Sequence, residues 1–333
     1  MFASDDNYFG YLYVALYSLL ENNRKETINL FILDDKIKSE KKEKVSSLIN
    51  NYENKVVNFI DISNIVNDYV SNDTLKSYLR KNYSTTYARL FLDFLLPPEI
   101  EKVLYLDCDI LVNGNLKELW DIDISDYYVA GVLDLMPNVY KEVIGLNADS
   151  TYLNAGILLI NVKKCRNEGI WNKFFEFLKQ HINEDIHHDQ GIINGVCKDK
   201  MLVIHPKYNY IGSLHIKKPT NAIKWFVDQK NFYDNETIDE AKNNTVIYHF
   251  CEGSLGRPWY NNNHMYYNLY REYVLKSKID ENTIYTSNYD KSLFNKLYLF
   301  LQTNTLFSIM LKLIPAPITR NITNKLLKLN MKN

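Results

Sequence analysis

Short apolar runs alternate with helical patterns through the first 250 residues. Ile28–Asp35 (INLFILDD), Lys55–Ile62 (KVVNFIDI), Lys102–Asp109 (KVLYLDCD), Tyr127–Asp134 (YYVAGVLD), Ala155–Val162 (AGILLINV) and Thr245–Phe250 (TVIYHF) read as strands. Their near-continuous hydrophobicity suits strands covered on both faces. Between them, Gly10–Asn22 and Ser39–Asn50 have helical spacing. In Glu168–His181, Trp171, Phe174, Phe175 and Leu178 share one helical face. Strand–helix alternation predicts an α/β fold with a mostly parallel sheet, and in such sheets ligands gather at the carboxyl ends of the strands.

Those ends are acidic. Ser4-Asp5-Asp6, Asp34-Asp35, Asp107 with Asp109, and Asp134 all close apolar runs. One such acid is usually a turn or a helix cap. So many together predict a carboxylate-rich rim, costly unless a cation binds there. Residues two apart in an extended segment point the same way, so Asp107 and Asp109 face one side and Cys108 the packed side. Two hard oxygen donors suit Mg²⁺ or Mn²⁺. The bland alternative is one acid in a turn and the other paired with Lys102 or Lys117. Far along the chain, His249 ends the last strand and a loop with Gly253, Gly256, Arg257 and Pro258 follows. Backbone amides and a guanidinium there could close on phosphate oxygens. An imidazole joining the two carboxylates favours Mn²⁺ over Mg²⁺.

Composition changes this picture little. The formal net charge of −1 gives no reason to expect nucleic acid as partner. Cys108, Cys165, Cys197 and Cys251 are scattered without a CxxC pair, which predicts reduced core thiols in a cytosolic protein. MFASDDNYFG carries neither a basic nor an apolar export signature. From Tyr289 onward, seven cations stand against Asp290 alone, among apolar clusters divided by Pro315 and Pro317. Such a basic amphipathic tail suits contact with an anionic membrane surface, which would place the protein peripherally on the inner face of the plasma membrane. The alternative is a helix folded back on the body.

Taken together, FASDDNY (Phe2–Tyr8), TTYARLFL (Thr85–Leu92), VLYLDCDILV (Val103–Val112), LNAGILLINVKK (Leu153–Lys164), HHDQGIIN (His187–Asn194), HPKYNY (His205–Tyr210) and the HF…RPW of His249–Trp259 resemble glycosyltransferase family 8. The likeness is to its bacterial lipooligosaccharide galactosyl- and glucosyltransferases and, more distantly, to glycogenin. It implies a GT-A type fold: one Rossmann-like nucleotide-binding domain over residues 1–260, a helical extension over 261–288 packing on it, and the tail over 289–333. It implies retaining transfer of galactose or glucose from a UDP-hexose to a cell-envelope glycan or glycolipid such as lipopolysaccharide. Ala3 and Asp5 would then bind uracil, Tyr8 would stack on the base, and Asn7 would meet the nucleotide. Asp107, Asp109 and His249 would hold Mn²⁺, with Mg²⁺ as substitute. Gly253 and Arg257 would address the diphosphate. Arg89, Asp107, Asp134, Asn154, Ala155, Gly156, Asp189 and Gln190 would surround the hexose. Arg257 stands where the family usually has Lys, the loop before it is longer than usual, and only Met1 and Phe2 precede Ala3.

For the chemistry, metal and Arg257 would stabilise the departing diphosphate, and Gln190 Oε1 would lie by the cationic anomeric carbon. Asp189 and Asp134 would grip sugar hydroxyls. Gln190 is a poor nucleophile, so attack from the leaving-group face is favoured over a covalent intermediate on Asp189. The competing functions are a catalytically weak sugar-nucleotide scaffold and a self-glycosylating primer. A dehydrogenase fails for want of G-x-G-x-x-G after the first strand.

Overall fold

The computed structural model describes residues 1–81, 84–211, 232–251 and 257–285. Ten strands are described: β1 Phe2–Asp5, β2 Ile28–Asp35, β3 Lys55–Asp61, β4 Lys102–Leu106, β5 Ile110–Val112, β6 Val129–Leu133, β7 Leu153–Asn161, β8 Met201–Val203, β9 Tyr210–Ile211 and β10 Ile247–His249. They pair as β1-β2-β3, β4-β7-β6-β8 and β5-β10-β9. Met1 N donates to Leu104 O at 2.8 Å and Met1 O accepts from Leu106 N–H at 2.9 Å. One residue bridging two positions two apart is the parallel pattern, so β1 lies beside β4 and the first two groups run on as one sheet.

The β1-β2-β3 pairs are parallel, whereas β7 is antiparallel to both β4 and β6. That reversal brings the amino end of β7, Leu153–Gly156, to the carboxyl ends of β4 and β6. Asp107 N–H donates to Gly156 O at 2.8 Å, and Asp134 N–H to Tyr152 O at 2.9 Å. Eight of the nine β7 residues are buried, as expected of a strand covered on both faces.

The apolar run Val103–Val112 is not one strand. β4 stops at Leu106, and β5 begins at Ile110 in a different sheet, antiparallel to β10. Between them Asp107 is fastened to β7 through Gly156, and Asp109 to the other sheet, its carbonyl accepting from Phe250 N–H at 2.8 Å. The two acids therefore line the seam between two sheets.

Helix α1 (Phe9–Asn22) buries ten of its fourteen residues, among them Leu12, Val14, Leu16 and Leu20. Each large apolar chain so buried contributes about 1.5–3 kcal/mol relative to exposure. Helix α2 (Ser39–Ile49) buries only Val45, Leu48 and Ile49, the face its charged sequence leaves apolar. In α3 (Ile170–Gln180), Trp171, Phe174 and Leu178 are buried. Phe175, expected with them, is only partly buried, against Phe91 at 4.8 Å. Helix α4 (His188–Cys197) backs the amino end of β7, where Asn194 Oδ1 accepts from Leu153 N–H at 2.7 Å. Helix α5 (Tyr267–Ser277) packs on α1: Asn22 Nδ2 donates to Tyr273 OH at 2.9 Å, and Tyr270 stacks obliquely on Trp259 at 5.0 Å. The tail over 289–333 and Gly253 lie outside the described residues. Among those described, no helix is long and apolar enough to cross a membrane. None of the four cysteines forms a disulfide, and Cys108, Cys165 and Cys197 are buried.

Candidate metal centre and active site

One oxygen each of Asp107 and Asp109 and one ring nitrogen of His249 lie within 4.8 Å of one another. His249 Nε2 is 3.4 Å from Asp109 Oδ1 and 3.8 Å from Asp107 Oδ2. The imidazole arrives there because β10 pairs His249 with Ile110 on one side and Ile211 on the other. Cys108 turns away into the core, its thiol donating to Ala3 O at 3.2 Å. Gly156 closes the seam: a Cβ there would stand 2.2 Å from His249 Cε1 and 2.8 Å from Asp107 Oδ2. Only a residue without a side chain lets β7 approach this closely.

The charges here are strongly perturbed. Burial raises the pKa of Asp107 and outweighs the opposing pull of Arg89. Burial would raise Asp109 too, but His249 and Arg257 hold it well below the usual carboxylate range. Burial pulls His249 down, yet Cys251 and Asp109 beside it lift it well above the ordinary imidazole value. Two carboxylates and an imidazole, converging from three strand ends and backed by a glycine, are a donor set that fits Mn²⁺ or Mg²⁺.

Beside this trio sits a second cluster. Arg89, buried, donates through Nη2 to Asp107 Oδ1 at 2.7 Å and through Nη1 to Ala155 O. Its Nε is 3.0 Å from Asp189 Oδ2, and its guanidinium lies over the Tyr105 ring at 4.0 Å. Gln190 Oε1 accepts from Ala155 N–H at 3.0 Å while Nε2 donates to Asp134 Oδ2 at 3.0 Å. Asn154 Nδ2 donates to the same Asp134 oxygen at 3.1 Å. Asp189 and Gln190 occupy the first turn of α4, where the helix dipole favours an anion. The chain enters that helix through His187 and His188, with φ of 60° and 55°. Left-handed backbone at two consecutive non-glycine residues costs about 1–2 kcal/mol each. The turn presses Ile186 O to 1.7 Å from where a Cβ of Gly191 would stand, so position 191 admits only glycine.

A third group leads outward. Arg257 Nη2 donates to Asp109 Oδ2 at 2.8 Å, Nη1 to Tyr8 OH at 2.9 Å and Nε to Phe250 O at 3.1 Å. Tyr8 is exposed and meets Tyr11 edge-on at 5.1 Å. Asp5 Oδ1 accepts from Tyr8 N–H at 2.8 Å, and Asn7 Nδ2 reaches Asp5 Oδ2 at 3.4 Å. Ala3 is half-buried in β1. Asp107, Asp109, His249, Arg89, Asp134, Asn154, Ala155, Gly156, Asp189 and Gln190 thus form one bonded network, which Arg257 joins to Tyr8. Asn7 bonds to Asp5 instead, and Asp5 to the Tyr8 backbone.

The acidic rim expected along the strand ends does not exist as one feature. Asp34 is paired with Lys42 and accepts from Ile37 N–H at 2.6 Å. Asp6 pairs with Lys41 at 2.9 Å and Lys38 at 3.6 Å. Lysines of α2 and the turn before it neutralise these acids. The motif reading gave no role to Asn209, which is fully buried between Tyr208 and Tyr210 and bonds His249 Nδ1 at 3.0 Å. Its place between two tyrosines in HPKYNY gives no sign of what it faces.

The family model "Glycosyl transferase family 8" matches residues 1–263. A putative glycosyltransferase of Haemophilus influenzae is 38% identical over 214 residues, 63% of this chain and 62% of that protein. The chain thus spans less than two thirds of that relative's length. A lipopolysaccharide 1,2-glucosyltransferase of Escherichia coli is 25% identical over 264 residues, 77% of this chain and 71% of the relative. Among solved structures, galactosyltransferase LgtC in complex with donor and acceptor sugar analogs superposes with a TM-score of 0.66 at 26% identity, covering 84% of this chain and 96% of that one.

Proposed function

The chain belongs to glycosyltransferase family 8 and has its GT-A type fold, and from that premise we propose that it is a retaining hexosyltransferase. It moves galactose or glucose from a UDP-sugar to a cell-envelope glycan or glycolipid such as lipopolysaccharide. The observation carrying this reading is the single network that joins the Asp107–Asp109–His249 trio to Gln190 and Asp134. Relatives named for lipopolysaccharide glucosyl transfer and galactosyl transfer support the substrate class. The surplus of cations after Asn288 supports work at an anionic membrane surface.

Asp107, Asp109 and His249 would hold a divalent ion, Mn²⁺ or Mg²⁺, which supplies positive charge to the diphosphate as the bond to the sugar breaks. The protein's own groups do the rest. Arg257, forked between Asp109 and Tyr8, would meet a phosphate oxygen beside the trio, and Tyr8 would carry the nucleoside. Ala155 N–H and Asp134 hold both ends of the Gln190 amide, so its orientation is fixed in advance, and its oxygen would stabilise an oxocarbenium-like carbon brought against it. The Asp189 carboxylate is engaged by buried Arg89, which lowers its nucleophilicity. This favours front-face attack, with the departing phosphate oxygen taking the acceptor's proton.

The test is UDP release from UDP-galactose and UDP-glucose with Mn²⁺, then with EDTA. We expect release that chelation abolishes, and that Asp107→Asn lowers by at least about 100-fold, the scale of losing several kcal/mol of charge stabilisation. Release that survives both treatments overturns the metal assignment. UDP binding without release from any donor would instead favour a scaffold.

A further inference from the structure

We propose that Asn209 is a positioning residue that holds His249 with its proton on Nδ1, so that the Nε2 lone pair faces the cation between Asp107 and Asp109. The inference rests on the metal reading above and adds to it a residue outside the ligand set.

It follows from a chain of hydrogen bonds whose polarity is fixed at one end. Gly156 N–H is a backbone donor and can only donate; it meets Asn154 Oδ1 at 3.0 Å. That atom must therefore be the amide oxygen, which agrees with Asn154 Nδ2 donating to Asp134. Asn209 approaches the same oxygen at 2.9 Å, so it presents its NH₂ there. Its own oxygen is then left to face His249 Nδ1 at 3.0 Å, and Nδ1 must be the donor. Any other assignment sets two acceptors, or two donors, against each other in a buried place: Asn209 is 0% exposed, Asn154 6% and His249 3%. With Nδ1 keeping its proton, Nε2, the atom nearest both carboxylates, is the nitrogen whose proton a cation would displace and whose lone pair it would then take.

The relay also explains why one glycine serves twice. Gly156 supplies the orienting N–H, and its missing Cβ would otherwise stand 2.9 Å from His249 Nδ1. The imidazole is thus oriented by Asn209, just before β9, which is itself oriented by Asn154 and the Gly156 N–H of β7, so groups from both sheets set one ring orientation. Partners of this kind typically change metal affinity by about 10- to 100-fold when removed.

The experiment uses the full chain and reads Mn²⁺ binding by calorimetry in wild type, Asn209→Leu and Asn209→Asp. Asn209→Leu keeps the shape and removes the acceptor; we expect its affinity to fall about 10- to 100-fold. Asn209→Asp can still accept from Nδ1–H, and we expect it to recover part of that loss. With Co²⁺ at saturation, the Nδ1–H of a bound His249 should give one exchangeable, strongly shifted proton resonance in wild type and Asn209→Asp. That resonance should vanish in Asn209→Leu. Wild-type affinity in Asn209→Leu, or equal loss in both variants with the resonance kept, overturns the proposal, since only packing would then have changed. If Asn209→Leu does not fold, the resonance in Asn209→Asp decides alone: its absence overturns the proposal. A wild-type protein that binds no Mn²⁺ removes the metal reading first and this inference with it.

Discussion

Acidic side chains close strands in two parts of the molecule and meet different company. At the ends of β1 and β2, Asp6 and Asp34 each find lysines of α2 or the turn before it, and Asp5 accepts a backbone N–H from Tyr8. At the seam between β4 and β5, Asp107 and Asp109 share a buried imidazole, with one arginine on each outer flank. The first set is neutralised by its own neighbours and stabilises turns. The second brings two acids and a histidine within 4.8 Å in a buried place where a cation would relieve their repulsion. Strand-end acidity alone does not single out a candidate metal site; convergence from separate strands does.

The sharpest way to break this contrast is Gly156→Ala. The added methyl would overlap the His249 ring at 2.2 Å, and both lie in packed strands that cannot retreat far. We expect Mn²⁺ affinity to fall more than about 10-fold and stability to drop by about 1–3 kcal/mol, as overpacked cores do. Calorimetric titration and urea unfolding measure the two. Unchanged Mn²⁺ binding would mean that the imidazole is not a ligand. The converse variant is Asp34→Ala. Its carboxylate is buried, but its partner Lys42 is about one third exposed and can reach water. Losing the hydrogen bond from Ile37 N–H and the ion pair should cost about 1–3 kcal/mol of stability, with Mn²⁺ affinity intact. A drop in metal affinity would restore the continuous acidic rim.

Much of this was legible in advance. The strands at Ile28 and Lys55 were readable because buried parallel strands are continuous in hydrophobicity, and Asp107, Asp109 and His249 because each ends such a run. The break at Leu106 was hidden, since Ile110–Val112 is as apolar as β4 and no glycine or proline separates them. Only pairing partners far along the chain divide the two. The antiparallel placement of β7 was hidden for the same reason. Asn209 lacked a role because a polar residue between two tyrosines says nothing of what it faces. The rim failed on a different count: the lysines that neutralise Asp6 and Asp34 lie in a helical pattern, and its packing against the strand ends is a tertiary fact.

The smallest effect tests the same contrast at the surface. Asp6 is about one quarter exposed, pairs with Lys41 and Lys38, and accepts from Lys38 N–H at 3.2 Å. Burial would raise its pKa slightly, but the two lysines hold it below the ordinary carboxylate value. A carboxylate depressed on folding stabilises the protein above its unfolded pKa, near 3.9, and that contribution is lost as pH falls through the folded value. Asp6→Asn can keep the hydrogen bond from Lys38 N–H and removes the charge together with the carboxylate oxygen that meets Lys41. We therefore expect a loss of about 0.2–1 kcal/mol at pH 7, the range of exposed pairs. The difference should fade in about 1 M salt, where screening acts within about 3 Å, and again below about pH 4. Denaturation midpoints across pH and salt measure it. Should Asp6→Asn weaken Mn²⁺ as strongly as Gly156→Ala, the acids at the β1 end belong to the metal centre after all, because a charge already balanced by two lysines has no other route to it.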